Sequence, residues 1–259
     1  GRKRKTPAER RQVEPAGYKP PPLLWAGMQL STLVSRLDDR LKTDDYAAVD
    51  ASANGLQVGP DEKDVGTVAF AVDGAVETFE RAAGYGADLL VVHHGVVWGG
   101  LDRVTGIEYD RLRALIDNDV ALYVSHLPLD GHPEYGNAAG IASRLDLSNS
   151  APFGELDGVT VGRRGTASDP YTTKGLRRAI GEALPVDSPD VGVLDHGPEE
   201  IRDLAIVTGS GAEFFREAVA EDVDAFVTGE GKAKLYHEAQ EAGISVLLAG
   251  HYATETVGV

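Results

Sequence analysis

The sequence predicts an α/β fold of two similar lobes, with mostly parallel sheets and a site in the cleft between them. Three observations predict it. Short runs of branched apolar residues alternate with amphipathic helical stretches, the mark of stacked βαβ units. One such unit recurs further along the chain. Histidines and carboxylates gather at the ends of the apolar runs, where open α/β sheets place their ligands.

Composition narrows the classes of function. The 259 residues suffice for one large domain or two small ones. No apolar run approaches the roughly 18 residues that a membrane span requires, so a cytoplasmic protein is expected. There is no cysteine, which removes disulfides and thiolate metal sites. Any metal must be held by His, Asp and Glu, a donor set that favours zinc, manganese or iron over copper(I) or an iron–sulfur cluster. Residues 1–27 carry seven basic and two acidic side chains, a net +5; with −16 over the whole chain, residues 28–259 carry −21. Such a surface repels nucleic acid and anionic membrane. It suits a halophilic protein, for which screening is strong and hydrated carboxylates maintain solubility.

Residues 1–27 read as a basic, Pro-rich extension, disordered or non-native, with Arg2-Lys3-Arg4-Lys5 followed by Tyr18-Lys19-Pro20-Pro21-Pro22. A first lobe is expected over residues 28–147, with 240–259 contributing, and a second over 148–239. Leu30, Leu33, Val34, Leu37 and Leu41 follow helical spacing. Residues 51–60 read as a turn-rich link. Thr67–Val72 is an expected strand, followed by a helix presenting Val76, Phe79, Ala82 and Ala83 and ended by Gly84 and Gly86. Leu89-Leu90-Val91-Val92 reads as a buried parallel strand that delivers His93-His94-Gly95 at its end. After a Gly-rich loop come a helix (Tyr109, Leu112, Leu115, Ile116), the strand Val120–Val124 and a loop dense in donors, from Ser125 through His126, Asp130 and His132 to Glu134. A helix through Ala138, Ile141 and Leu145 follows. The middle region, 148–200, suggests a helix at Leu176, Ile180 and Leu184 and weak strands at 159–162 and 191–194. From Ile201 the strand–helix pattern returns and ends in Gly250-His251-Tyr252-Ala253-Thr254-Glu255, four residues before the last, so the sequence reads as cut short.

The repeat sharpens the site. Residues 68–95 lie over 204–231, a shift of 136, pairing Ala69 with Ala205, Phe79 with Phe215, Asp88 with Asp224, Val91 with Val227 and Gly95 with Gly231. At a shift of 125, Val120–His126 lies over Ser245–His251, and Asp130 over Glu255. Each copy thus ends in a strand followed by His-x-x-x-carboxylate. His93-His94 in the first copy meets Gly229-Glu230 in the second, a chemical difference that a purely structural repeat does not need. His93, His94, Asp130, His251 and Glu255 are the candidate metal ligands, the competing reading being a surface or capping role for each histidine. Thr208-Gly209-Ser210-Gly211 offers backbone N–H groups to a phosphate, or is simply the tight turn of a βα unit. Tyr135, Tyr252 and Trp98 lie near the motifs, as stacking or packing residues. His196 and His237 read as surface residues.

These motifs resemble the dinuclear metal-centre family of GTP cyclohydrolase 1 type 2 homologues, or Nif-three-like proteins. The segments are Asn54-Gly55-Leu56-Gln57-Val58-Gly59; His93-His94-Gly95 with Trp98; Ser125-His126-Leu127-Pro128-Leu129-Asp130 into His132-Pro133-Glu134 and Gly136-Asn137; Thr228-Gly229-Glu230; and Gly250-His251-x-x-Thr254-Glu255. The likeness spans residues 28–259. It implies two divalent metal ions per chain, of zinc, manganese or iron, on His93, His94, Asp130, His251 and Glu255, between two similar α/β lobes. It also implies a ring-shaped homohexamer in a compact form without an inserted middle domain. His126 falls near the site as a supporting residue or occasional ligand; His132, close to Asp130, is a further supporting residue or proton donor.

Two functions follow as expectations. One is a metal-dependent hydrolase of a nucleotide or other small anionic molecule, GTP cyclohydrolase-like by resemblance, with metal-activated water as the nucleophile. The other is a non-catalytic metal-binding ring, a regulatory or assembly protein.

Overall fold

The computed structural model describes residues 27–187 and 189–259; apart from Gly27, the expected basic extension lies outside the described residues. The first half of the chain forms β1 (Met28–Gln29), α1 (Leu30–Leu41), β2 (Gly55–Val58), β3 (Asp64–Val65), β4 (Val68–Asp73), α2 (Val76–Gly84), β5 (Leu89–His94), α3 (Ile107–Asp117) and β6 (Ala121–Val124). Strands β2-β6-β5-β4 make a four-stranded sheet in that order, with β4, β5 and β6 parallel and β2 antiparallel to β6. Alternation along β5 and β6 sorts the core. Leu90, Val92, Leu122 and Val124 pack with Phe79 of α2 and Leu115 of α3, whereas Leu89, Ala121 and Tyr123 pack with Leu30 and Leu41 of α1. Both faces of the sheet are therefore covered, as its unbroken apolar runs require.

The second half forms α4 (Leu127–Gly131), α5 (Asn137–Arg144), β7 (Leu147–Leu156), β8 (Val159–Tyr171), α6 (Thr173–Ala183), β9 (Gly192–Leu194), β10 (Ile201–Val207), α7 (Phe215–Ala220), β11 (Ala225–Thr228), α8 (Leu235–Ala242), β12 (Ser245–Leu248) and α9 (His251–Glu255). Its sheet has the order β7-β8-β10-β11-β12-β9. Only β10, β11 and β12 run parallel; β7, β8 and β9 join antiparallel. Ile141, Leu176, Ile180, Leu204, Ile206 and Val227 form the core on one face, and Phe215, Phe226, Leu235, Ala239 and Val246 the core on the other.

The structure corrects three expectations. The sheets are mixed: β2, β7, β8 and β9 join antiparallel to otherwise parallel strands. Residues 51–60 contain β2, which Gly and Asn flanks disguise as a link and which pairing with β6 stabilises. The weak strand at 159–162 is the start of a 13-residue strand, and its hairpin partner β7 is hidden in the sequence because Ser, Asn, Gly and Pro dominate it. The signal that marks the hairpin is Asp157-Gly158, both at positive φ (46° and 92°), as a tight hairpin turn requires. Helix α5 lies on the second sheet's core and β12 belongs to that sheet, while Val259 packs against the α1 core.

Gly131 shows how tightly α4 is docked. A Cβ there would lie 2.0 Å from the Thr160 carbonyl oxygen of β8 and 2.2 Å from the Tyr46 hydroxyl. Gly131→Ala is expected to destabilise the protein by about 1–3 kcal/mol, the cost of overpacking, read as a lower denaturant midpoint in chelator-treated protein. An unchanged midpoint would show that α4 and β8 are not held against each other.

Candidate metal centre

Four imidazoles are held by the same device. Each uses Nδ1 outward, on a fixed partner, and turns Nε2 inward. His93 Nδ1 is 3.0 Å from the Ser125 carbonyl oxygen, and His94 Nδ1 is 2.8 Å from Asp73 Oδ1. His126 Nδ1 is 2.9 Å from Asp50 Oδ1, and His251 Nδ1 is 3.2 Å from Glu230 Oε1. A donated Nδ1–H fixes the tautomer that leaves Nε2 with a free lone pair, which is how ligating histidines are usually oriented.

Strand alternation explains the two adjacent histidines. The strand does not end before them; β5 continues through His94, which is registered opposite Asp73 of β4. Their rings start from opposite faces yet stand 4.6 Å apart, centroid to centroid. His93 is fully buried and His94 partly exposed. The His126 ring stands 5.0 Å from His93 and 5.7 Å from His94, and His251 stands 6.0 Å from His94.

The carboxylates complete the cluster. Glu255 Oε1 lies 2.9 Å from His251 Nε2 and 3.6 Å from His93 Nε2, while Oε2 lies 3.4 Å from His94 Nε2. Asp130 Oδ1 accepts from Asn137 Nδ2 (2.8 Å) and Thr208 Oγ1 (2.9 Å), which leaves Oδ2 facing His93 Nε2 at 3.6 Å. Helix α9 places His251 and Glu255 four residues apart on one face, and Asp130 sits at the corresponding place in α4.

This donor set fits a metal ion. His93 Nε2 and Glu255 Oε2 are buried without a hydrogen-bond partner, a condition that costs about 1–3 kcal/mol per group. Two donors at about 2.0–2.2 Å from one tetrahedral ion stand roughly 3.4 Å apart, close to the His–carboxylate separations here. Two overlapping groups have the spacing to hold a metal ion: His93, His94 and His126, and His94, His251 and Glu255. Close backbone approach frames them. A Cβ on Gly209 would fall 2.4 Å from Glu255 Oε1, and one on Gly229 would fall 2.8 Å from the His251 Cα.

The charges respond to this crowding. Burial pushes the His93 imidazole down, but the facing Asp130 and Glu255 carboxylates outweigh it and hold it up at about 9. Burial pushes Glu255 up, and His93 and His94 more than reverse this, drawing it down to about 2. His94 is raised against its own burial by Glu255 and Asp73. Asp50 is lowered despite burial by His126 and by the amide of Asn54.

His93, His94, Asp130, His251 and Glu255 are thus brought together, with His126 beside them. His132 is not. Its Nε2 donates to the Arg40 carbonyl oxygen (2.9 Å) and its Nδ1 accepts the Glu134 and Tyr135 N–H groups, so it caps a turn as a neutral ring. Burial, together with Arg40 and Lys42, pushes its pKa down. The Thr208–Gly211 turn holds no phosphate cradle, since the Gly209 and Gly211 N–H groups are taken by the Thr254 and Thr228 hydroxyls. Trp98 is 43% exposed, its ring 4.9 Å from His126, whereas Tyr135 stacks on His132. His196 is half-buried against Tyr236 rather than on the surface. The anchors Asp50 and Asp73 have no mark in the sequence, and Glu230, singled out by the repeat and the motif, carries no sign there of its role beside His251. Register alone signals Asp73, which ends the strand beside His94.

Fold and site define a mixed α/β protein whose histidine–carboxylate cluster can hold a metal ion. The family model for Duf34/NIF3 (NGG1p interacting factor 3) matches residues 28–259, and the chain belongs to that family. It is 58% identical to the GTP cyclohydrolase 1 type 2 homolog of Halobacterium salinarum over 90% of this chain and 91% of that one. It is 41% identical to the homolog of Pyrococcus abyssi, over 90% of each. Among solved structures it resembles the structural-genomics protein ybgI, of unknown function (TM-score 0.80, 33% identity, 90% of each chain). It also resembles TTHA1606 of Thermus thermophilus (TM-score 0.79, 34% identity, 90% of each chain).

The pKa shifts set a pH dependence for metal-free protein. His93, raised from 6.5 to about 9, contributes stability that is fully present below 6.5 and is lost as pH rises through 9. Glu255, lowered from 4.5 to about 2, contributes stability that is present above 4.5 and is lost as pH falls through 2. Chelator-treated protein is expected to melt lower at pH 9 than at pH 6, and His93→Gln to flatten that slope. Equal slopes in both proteins would remove the charge pairing.

Proposed function

We propose that this chain is a dinuclear metal-dependent hydrolase acting on a nucleotide or other small anionic substrate, as the names of its curated relatives suggest. The observation that carries the reading is the convergence of inward imidazole Nε2 atoms on one buried carboxylate whose Oε2 has no other partner. Two divalent ions of zinc, manganese or iron suit this cysteine-free donor set. Glu255, with its two oxygens toward different histidines, would hold the ions together with His93, His94, Asp130 and His251, with His126 at hand on the side of His93 and His94. Bound ions would supply Lewis acidity and make water nucleophilic near neutral pH.

The chain's own residues account for the rest. Asp50, Asp73, Ser125 and Glu230 hold the imidazoles in the ligating tautomer. Asn137 and Thr208 occupy one oxygen of Asp130 and so direct the other inward. Trp98 offers an exposed aromatic face beside His126 for a substrate ring.

The wider setting is part of the same proposal. The parallel units β4–α2–β5 and β10–α7–β11 share their order and align residue by residue at a shift of 136, which supports an internal duplication with the site in the cleft between its copies. Phe70, Tyr85, Ile107 and Ile116 are all more than 60% exposed in a single chain, which suits burial in a homohexameric ring. Among the described residues no helix is long and apolar enough to cross a membrane. The −21 carried by residues 28–259 suits a salty cytoplasm without nucleic-acid partners, and the relative in Halobacterium salinarum agrees with it.

Protein purified in high salt is expected to hold two metals per chain by elemental analysis and to hydrolyse a member of a nucleotide panel. His94→Ala is expected to abolish turnover with assembly intact. Stoichiometric metal with no turnover on any substrate, and loss of assembly in His94→Ala, would favour the non-catalytic ring instead. Fewer than one metal per chain after metal loading would reject the centre. Asp50→Ala should weaken metal binding by about 10–100-fold through His126, as loss of such an anchor does elsewhere; unchanged affinity in a metal titration would remove His126 from the site.

A further inference from the structure

A cavity lies on the far side of helix α4 from the histidine–carboxylate cluster. Helix α4 separates the two: Asp130 faces the cluster, and the next residue, Gly131, walls the cavity, of about 330 Å³, opening between α1, α4 and the β7–β8 hairpin. Most of its wall is apolar, from Leu41, Tyr46, Pro128, Pro152 and Val159. Its floor includes Arg163, whose residue is only 8% exposed. The guanidinium is poorly matched. Nε and Nη2 both donate to one neutral hydroxyl, Ser150 Oγ, at 3.1 and 3.0 Å. Among the described residues no carboxylate lies within ion-pair distance of it, and Nη1 has no protein acceptor.

The Arg163 residue is largely buried, while its Nη1, without a protein acceptor, stays open to the cavity, and a cation so placed is ordinarily paired with an acceptor. Burial alone acts on Arg163, pushing its pKa down. Exposed Lys42 lines the same mouth and adds positive charge, and Asp45 is the acidic residue that lines it. His132 contributes no charge, since both its ring nitrogens are engaged. In a chain of net −16, a cavity with a buried arginine at its base is set against the prevailing field.

We propose that this cavity binds a small anion, the phosphate or carboxylate of a compact molecule, through the free edge of the Arg163 guanidinium. A planar fork with unused N–H donors matches either oxyanion, and the apolar walls strengthen the contact by excluding water. Lys42 draws the anion to the mouth and Asp45 opposes it.

The test uses full-length, chelator-treated protein, so that metal-bound anion does not contribute, at constant potassium chloride. Inorganic phosphate and succinate are titrated separately by calorimetry. Saturable binding of one per chain is expected for at least one of them, and which one binds identifies the oxyanion. Arg163→Gln is expected to weaken it by roughly tenfold or more, the loss of a charge-assisted bond. Lys42→Glu should weaken it and Asp45→Asn tighten it, each by several-fold. Lys42 and Asp45 are exposed, so these two variants decide the matter should Arg163→Gln not fold. Absence of saturable binding for both anions, or binding indifferent to the cavity variants, overturns the proposal.

Discussion

Glu255 carries a carboxylate into a place where three imidazoles are its principal neighbours, and the rest of the molecule is arranged to keep it there. Helix α9 supplies it only because β12 ends beside β11 and turns sharply at Gly250, whose φ is +90°. His93 and His94 reach it because β5 runs to its full length before the chain turns away. The burial that makes Glu255 expensive as a lone anion is what makes its partners effective, since opposite charges attract most strongly where water is scarce.

Around this carboxylate the two sheets do different work. The first contributes the adjacent histidines and their anchors, Asp73 from the neighbouring strand and Ser125 from the end of β6, and also Asp50, from the loop before β2, which anchors His126. The second contributes α9 and the glycines that allow close approach. A side chain at Gly209 would strike Glu255, and one at Gly229 would strike the His251 backbone. The end of the described chain supports Asp130 from behind. Gly258 N donates to Asn137 Oδ1 (2.8 Å), Asn137 donates to Asp130, and Val257 packs over Gly140 of α5. Asp130 is thereby positioned by α4, by α5 and by the last residues at once.

The same helix also serves the opposite side. Helix α4 presents Asp130 to the cluster and Gly131 to the cavity that Arg163 floors. Its short length and tight docking on β8 mean that the two environments are one peptide unit apart. One holds paired carboxylates and imidazoles, and the other an arginine without an ion-pair partner among the described residues.

Much of this is legible without coordinates. Apolar runs of four to seven residues alternating with helical stretches read as strands of a parallel sheet, so β4, β5, β6, β10, β11 and β12 announce themselves, and the helices between them follow from period. The ligand-type residues at their ends and the repeat that pairs Asp130 with Glu255 are equally visible. Hydrophobicity does not mark the antiparallel strands. Strands β2, β7 and most of β8 are held by pairing rather than by apolar content, and composition hides them. Nor does proximity in sequence tell which sheet a helix will cover, and α5 crosses to the second. The anchors Asp50, Asp73 and Glu230, and the separation of His132 from the cluster, are decided by tertiary structure alone. A hydrogen bond from an imidazole to its acceptor depends on strand register and loop path, and those are set by packing between elements distant in sequence.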